Sequence, residues 1–433
     1  MKSIEIDRTK SLLEEPGKGH NRFHPDIEPV LEVEQGEEVV IETRSAADNQ
    51  LSRNSTAQDL VNTSPNRAHP LTGPVYVKGA EPGDLLEIEF LDITPSDWAF
   101  TGVRPGRGYL KEGFESFLAI WDIENGFATS KQVPGVKIPG GPFMGVAAVS
   151  PSHAQFQAWS KREADLLARG GAVRPPQAQE AVPSATAGPG GGAVRATRIA
   201  SEGLRTGPPR ENGGNMDVKQ MTRGAKLLLP VGMPGGLFST GDAHYAQGDG
   251  EVCLQAIEMD ATTTVRFRVI KDGTSLYRMR GPHLSHTTYA PPTPQRFTAT
   301  MGMPIHEDGA NASEDLNVAC RNALLEMIEV LVSREFTPEQ AYVICSVAVD
   351  LKISQVVDAP NFIVTAFLPE DIFEVELRRG GTYRGTDGER NGKLERRSGI
   401  ARIVHPDLPA MLFGDSSRDG EAEPDAAVQA CVG

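Results

Sequence analysis

Between residues 28 and 43 apolar and polar positions alternate, as EPVLEVEQGEEVVIET, on either side of Gln35-Gly36. Successive side chains of a strand point to opposite faces, so this stretch predicts a hairpin closing at that dipeptide. Residues 75–93 (VYVKGAEPGDLLEIEFLDI) repeat the pattern, with Glu81-Pro82-Gly83-Asp84 as the turn. Pro82 presets one turn dihedral and Gly83 supplies a positive one. Further strands are predicted at 143–149, 226–231, 251–257, 263–270 and 361–367, which makes the first half of the chain mostly β. The apolar spacing becomes helical late. Asn311 and Glu314 form a capping pair ahead of Leu316, Ala319, Ala323, Leu324, Met327, Ile328 and Leu331. Thr337-Pro338-Glu339-Gln340 starts a second helix, with Ala341, Tyr342, Cys345 and Val349 on one stripe. The fold class expected is α+β, a β-rich, sandwich-like core with a few late helices.

Residues 170–200 change character. Gly, Pro, Ala and Ser dominate and no apolar stripe runs through them. The expectation is a solvated linker or insertion, with a lid over a site as the alternative. The chain therefore divides into a β-rich part at 1–160, a Gly/Pro-rich insertion at 161–210, a catalytic α+β part at 211–413 and a disordered acidic tail at 414–433. No internal repeat is present.

Composition narrows the partners. The 433 residues are 39% hydrophobic and 23% charged, with a net charge of −15. A chain this acidic lacks the clustered Lys and Arg that phosphate binding needs, so no nucleic-acid partner is expected. No 18-residue apolar run exists, so no membrane span is expected. Cys253, Cys320, Cys345 and Cys431 contain no CxxC pair, which argues against a disulfide framework and against a thiolate zinc site. With no secretory signal in MKSIEIDRTK, the expected location is a reducing cytoplasm.

The chemistry concentrates in NGGNMDVKQMTRGAKLLLPVGMPGGLFSTGDAHYAQGDGEVCLQAIE, residues 212–258. Asp242, His244, Asp249, Glu251 and Glu258 fall close together there, with Asp217 upstream. Carboxylate oxygen and imidazole nitrogen are the ligand set of zinc and similar divalent ions. Asp242 and His244 are two apart, which on a strand puts both on one face. Asp249 and Glu251 repeat that spacing across Gly250. Asp217, Asp242 and His244 are the metal ligands of choice. Glu251 is the general base, with Asp249 or Glu258 as substitutes, and Asn215 or Gln247 would donate to a developing oxyanion. The bland alternative for Asn215, Gln247 and the glycines is turn chemistry.

Other candidates are weaker. His20 and His24 in GHNRFHPD are read first as hydrogen-bonded structural residues and second as metal or substrate contacts; His69 is weaker still. Ser239 in LFSTG lacks the first glycine of a nucleophile elbow, and no HExxH, GxGxxG or Walker loop occurs. Cys253 beside carboxylates would have a raised pKa, which argues against a nucleophile.

Several segments, in order, resemble the acetamidase/formamidase family: HNRFHPD (20–26), HPLTGPVYVKGAEPGDLLEIEFLDI (69–93), PFMGVAAVSP (142–151), NGGNMDVKQMTRGAKLLLPV (212–231), FSTGDAHYAQGDGEVCLQAIE (238–258), ACRNALLEMI (319–328) and EQAYVICSVAVDLKISQVVDAPN (339–361). The Gly/Pro-rich insertion at about 165–205 departs from that pattern. The resemblance implies hydrolysis of a small amide to a carboxylate and ammonia, a divalent-metal site with zinc as the expected ion, and a homo-oligomer. The family also includes a hydrolase of γ-lactams, so a cyclic amide is the alternative substrate. The family's acidic motif maps onto Asp217, Asp242, His244, Asp249, Glu251 and Glu258. The rival from another class is a non-catalytic protein that binds a small amide or a metal.

Overall fold

The computed structural model describes residues 1–183, 192–289, 291, 294 and 296–374; the tail expected at 414–433 lies outside them. Among the described residues the strands form an eleven-stranded sheet, a six-stranded sheet and two smaller ones. The two large sheets meet face to face. Phe238 of the larger sheet packs edge-on against Phe267 of the smaller, with ring centroids 5.3 Å apart. The Thr72 hydroxyl donates across the same interface to the Glu42 carbonyl. This is the α+β, sandwich-like core expected from the patterning. No helix among the described residues is long and apolar enough to cross a membrane.

Both expected hairpins are instead corners between the sheets. Leu31–Val33 pairs in parallel with Leu71–Val77 in the eleven-stranded sheet, whereas Glu38–Thr43 lies between Lys2–Ile4 and Ala261–Ile270 in the six-stranded one. Leu71–Val77 and Leu85–Pro95 are divided the same way across Glu81–Asp84. Alternation fixes which face of a strand is buried; it does not choose the partner strand. The strands Phe143–Ala148, Lys226–Pro230, Ala261–Ile270 and Ile363–Pro369 fall where the apolar runs place them. Residues 251–257 do not form a strand. Gly250, Glu251 and Leu254 have φ of 112°, 45° and 79°, so the chain coils there, and only Glu258–Met259 is extended.

Helix Pro338–Ala348 begins at Thr337 with the expected reciprocal cap from Gln340. Helix Leu316–Val332 starts later than the Asn311/Glu314 pair suggests. Asp315 is its cap, accepting from the N–H groups of Asn317 and Val318. The Gly/Pro-rich stretch is more ordered than its composition implies. It follows a helix, His153–Ala168, capped by Ser152 and Gln155, and contains a second helix, Gly192–Glu202. The segment before residue 184 is tied down by its own backbone. Arg22 donates to the carbonyls of Gln177 and Gln179, and Asn21 bridges Glu180 O and Val182 N. Composition reports the missing apolar stripe; it does not report backbone groups recruited by a buried arginine.

The N-terminal histidines serve the frame. His20 lies on Gly19–His20, paired with Leu71–Val77. Its Nδ1–H donates to the Arg22 carbonyl at 2.7 Å, and its Nε2 accepts from the Ser239 hydroxyl at 2.8 Å. His24 pairs with Glu202 at 3.0 Å. Burial pushes the His20 imidazole down to about 4, from an ordinary 6.5. The folded chain therefore holds His20 neutral where the unfolded chain would protonate it. Its contribution is fully present above about pH 6.5 and is lost as pH falls toward 4, by about 3 kcal/mol at the limit. Thermal unfolding from pH 7 to 4.5 is expected to lower the Tm of the wild type more steeply than that of His20→Gln. Parallel profiles would show that His20 does not enter the fold as a neutral ring.

Candidate active site

The strand Phe238–His244 carries Asp242 and His244 at its end, and it runs through the middle of the eleven-stranded sheet. Glu258 lies directly across from His244 on the neighbouring strand, and Phe143 is opposite on the other side. Asp217 arrives from the turn after Gly213–Asn215. These groups converge. His244 Nε2 is 3.2 Å from Glu258 Oε2 and 3.6 Å from Asp242 Oδ1. Asp217, Asp242 and His244 present ligand atoms within 4.8 Å of one another, and so do His244, Glu251 and Glu258. His69 Nε2 stands 3.9 Å from Asp242 Oδ2.

The local backbone is shaped for this convergence. Asp217, Asp242 and Glu251 all have φ near +50°, at 49°, 54° and 45°. That left-handed region is sparsely populated by non-glycine residues and gathers at functional sites. Gly145 makes the close approach feasible. A Cβ there would lie 2.6 Å from Asp217 Oδ1, 2.8 Å from the Asp242 carbonyl and 3.0 Å from the His244 ring.

The donor set fits a divalent cation. Asp217 Oδ1, Asp242 Oδ1, His244 Nε2 and Glu258 Oε2 are buried without a hydrogen-bond partner among the described residues. Such orphaned atoms are costly unless a ligand engages them. Gln247 sets the tautomer. Its Oε1 accepts from His244 Nδ1–H at 3.0 Å while its Nε2 donates to the Asp217 carbonyl at 2.8 Å. With Nδ1 holding the proton, Nε2 is the nitrogen left to bind a metal. Gln247 thus holds the His244 ring and the Asp217 backbone together, with one N–H of its amide committed to the Asp217 carbonyl.

Without a cation the cluster takes up protons. Burial pushes Asp217 up to about 6 and raises Glu251, with help from Asp217, and Glu258. Burial alone would raise Asp242 and lower His244. His69 and His244 outweigh it at Asp242 and hold that carboxyl below its usual range. Glu258 and Asp242 outweigh it at His244 and raise the imidazole well above 6.5.

Glu251 and Asp249 do not share a strand face. Glu251 turns into the cluster, while Asp249 turns out to Lys219, 3.5 Å away, and its amide donates to Asp350 Oδ1 at 3.1 Å. The Lys219 ammonium bonds Asp350 as well. Asp249 therefore anchors the loop and is not among the grouped ligand atoms. The rest of the loop is clamped by helix Pro338–Ala348. Gly248 N donates to the Ser346 carbonyl, the Ser346 hydroxyl donates to Gln255 O, and the Tyr342 hydroxyl donates to Val252 O. Lys219, Ser346 and Tyr342 carried no chemical signal in the sequence; only their contacts reveal them. His69 was under-rated because its carboxylate partner, Asp242, is distant in the chain.

Asp217, Asp242, Glu251 and Glu258 line a cavity of about 830 Å³, together with Asn215, His69, Arg104, Arg205 and Gln255. Asn215 Oδ1 is buried without a partner, which leaves an acceptor open to a ligand. Cys253 is buried, and burial pushes its thiol up to about 12, which removes it as a nucleophile.

With this geometry in place, comparison with known proteins is informative. The family model described as "Acetamidase/Formamidase family" matches residues 5–375. A formamidase of Methylophilus methylotrophus is 35% identical over 87% of this chain and 94% of its own length. An acetamidase of Mycolicibacterium smegmatis is 35% identical over 79% of this chain and 88% of its own length. Among solved structures, the gamma lactamase from Delftia acidovorans superposes with a TM-score of 0.81 at 34% identity, covering 87% of this chain and 94% of that one. The matched span includes every residue of the cluster, and the chain belongs to the acetamidase/formamidase family.

Proposed function

We propose that this protein hydrolyses the C–N bond of a small carboxamide, releasing ammonia and a carboxylate, at a divalent-metal site held by Asp217, Asp242, His244 and Glu258. The observation that carries the reading is the convergence of orphaned buried ligand atoms on His244 Nε2, beside a cavity that Asp217, Asp242, Glu251 and Glu258 line. The formamidase and acetamidase relatives support a linear amide. The gamma-lactamase neighbour supports a cyclic amide as the second substrate class. Zinc is the ion we assign, because one imidazole with carboxylates and no thiolate suits a borderline cation. The free Cys253, Cys320 and Cys345 support a reducing cytoplasm. Exposed Phe297, Met301 and Ile353 on the three-stranded sheet support a homo-oligomer.

Bound at this site, a divalent ion supplies Lewis acidity for the amide carbonyl and for the attacking water. The chain's residues do the rest. Glu251, within reach of His244 and Glu258, takes the water's proton as the water oxygen bonds to the carbonyl carbon. The same carboxyl then returns that proton to the amide nitrogen, the C–N bond breaks and ammonia leaves. Asn215, at the cavity wall, donates from its amide to the developing oxyanion. Gln247 keeps His244 in its ligating tautomer throughout.

Four measurements test this reading. Chelation is expected to abolish ammonia release from formamide and acetamide, with zinc or a similar ion restoring it. Full turnover by rigorously metal-free protein would overturn the metal requirement. Glu251→Gln is expected to keep the fold and most of the metal while losing activity by about 10²-fold or more. Near wild-type turnover would move the base to Glu258, and loss of metal would make Glu251 a ligand. His244→Ala is expected to lose metal and activity together. Gln247→Leu should retain the His244 ligand but weaken metal binding by roughly 10- to 100-fold, as removal of a partner that orients a ligand does. Elemental analysis beside the assay separates the two. A His244→Ala protein that binds stoichiometric metal would require the ligand set to be rebuilt without it.

A further inference from the structure

The cavity beside the cluster is lined by groups of both charges. Its acidic lining residues are Asp217, Asp242, Glu251 and Glu258. The same cavity is lined by four arginines: Arg104, Arg107, Arg174 and Arg205. Among the described residues none of these four pairs with a carboxylate. Arg104 donates to the Thr63 hydroxyl. Arg205 donates to the Pro175 carbonyl and to Asn66 Oδ1. The residue is only 4% exposed, yet its Nη1 is buried with no partner. Arg107 and Arg174 are exposed at the mouth.

Unpaired guanidinium groups held together are unfavourable, because they repel and lose hydration without a compensating anion. Three of them show the effect of like charge nearby. Burial lowers Arg104, Arg174 and Arg205 below the usual arginine value, and the neighbouring arginines lower them further: Arg107 and Arg174 at Arg104, Arg107 at Arg174, and Arg174 at Arg205. A fold tolerates such an arrangement most readily where a ligand supplies the missing charge. Guanidinium is the side chain best matched to an oxyanion, since its planar fork donates two parallel hydrogen bonds. Size points the same way. A cavity of about 830 Å³ far exceeds what formamide or acetamide, with a handful of atoms each, would fill.

We propose that the four arginines form an anion subsite of the cavity and that the substrate is a carboxamide whose far end carries an oxyanion, most simply a carboxylate. This deepens the amidase reading and rests on it. Charge orients such a molecule: the carboxylates Asp217, Asp242, Glu251 and Glu258 repel its anionic end, which Arg104, Arg107, Arg174 and Arg205 hold, and the uncharged amide end is left for the cluster. Arg174 comes from the Gly/Pro-rich segment that departs from the family pattern, so that segment contributes to specificity.

The test uses the metal-loaded enzyme and a homologous series of ω-amic acids: malonamate, succinamate and glutaramate. Each is compared with the neutral amide of equal chain length by ammonia release. At least one anionic amide is expected to exceed its neutral counterpart in kcat/KM by about tenfold or more at low salt, the increment of one charge-assisted contact. The preference should shrink as ionic strength rises. In the Arg107→Gln/Arg174→Gln double variant, where both positions are exposed, the anionic-to-neutral ratio should fall toward one. Calorimetric binding of succinate to wild type and double variant is the second readout. Turnover of neutral amides with no anionic preference, and succinate binding unchanged in the variant, overturns the subsite and leaves the amidase reading standing. No turnover of any amide, with succinate binding that is lost in the variant, keeps the subsite and overturns the amidase reading. Loss of both signals in the wild type overturns both.

Discussion

The structure is organised around the burial of like charges. Asp217, Asp242 and Glu258 approach one imidazole at the end of a central strand, away from bulk water. Isolated, any one of these carboxylates would take up a proton rather than remain charged in so apolar a place. Their rise in pKa, at Asp217, Glu251 and Glu258, expresses that cost. A divalent cation reverses the sign of the local field, since it replaces several protons at once and satisfies the orphaned lone pairs. The same groups that are costly to bury without a cation are thus the ones suited to hold one.

Holding these groups in place takes both sheet and loop. The sheet supplies rigidity. His244 and Glu258 face each other across paired strands, and Gly145 opposite Asp242 leaves no side chain to obstruct them. The loop supplies reach. Left-handed residues at Asp217 and Glu251 aim carboxylates that a regular strand would send elsewhere. Such a loop would fray on its own, but helix Pro338–Ala348 binds its backbone through Ser346 and Tyr342. The Lys219–Asp350 pair fixes its other side. The late helices are therefore supports for a site that lies almost entirely on β structure and turns.

Four arginines share the cavity with these carboxylates, so groups of both charges face a ligand there. One of them, Arg174, comes from the Gly/Pro-rich segment, which is held by the buried Arg22 and by Asn21 rather than by an apolar face of its own.

The sequence by itself determined the elements that depend on local periodicity and local chemistry. Strands Phe143–Ala148 and Ala261–Ile270, the Thr337/Gln340 cap, and the joint use of Asp242 and His244 were all legible, because strand alternation and capping act over a few residues. The density of carboxylates around one histidine also marked the site. What only the tertiary structure decided depends on partners far apart in the chain. The alternation at 28–43 and 75–93 is satisfied equally by a hairpin or by strands sent to two different sheets, and the face-to-face packing of those sheets selects the second. Asp249 and Glu251 look equivalent in sequence, yet Lys219 and Asp350 draw one outward while positive φ at the other turns it inward. His69 and the four arginines acquire meaning only when the fold brings them to one cavity, since charge and burial are properties of neighbourhoods in space and not of positions along a chain.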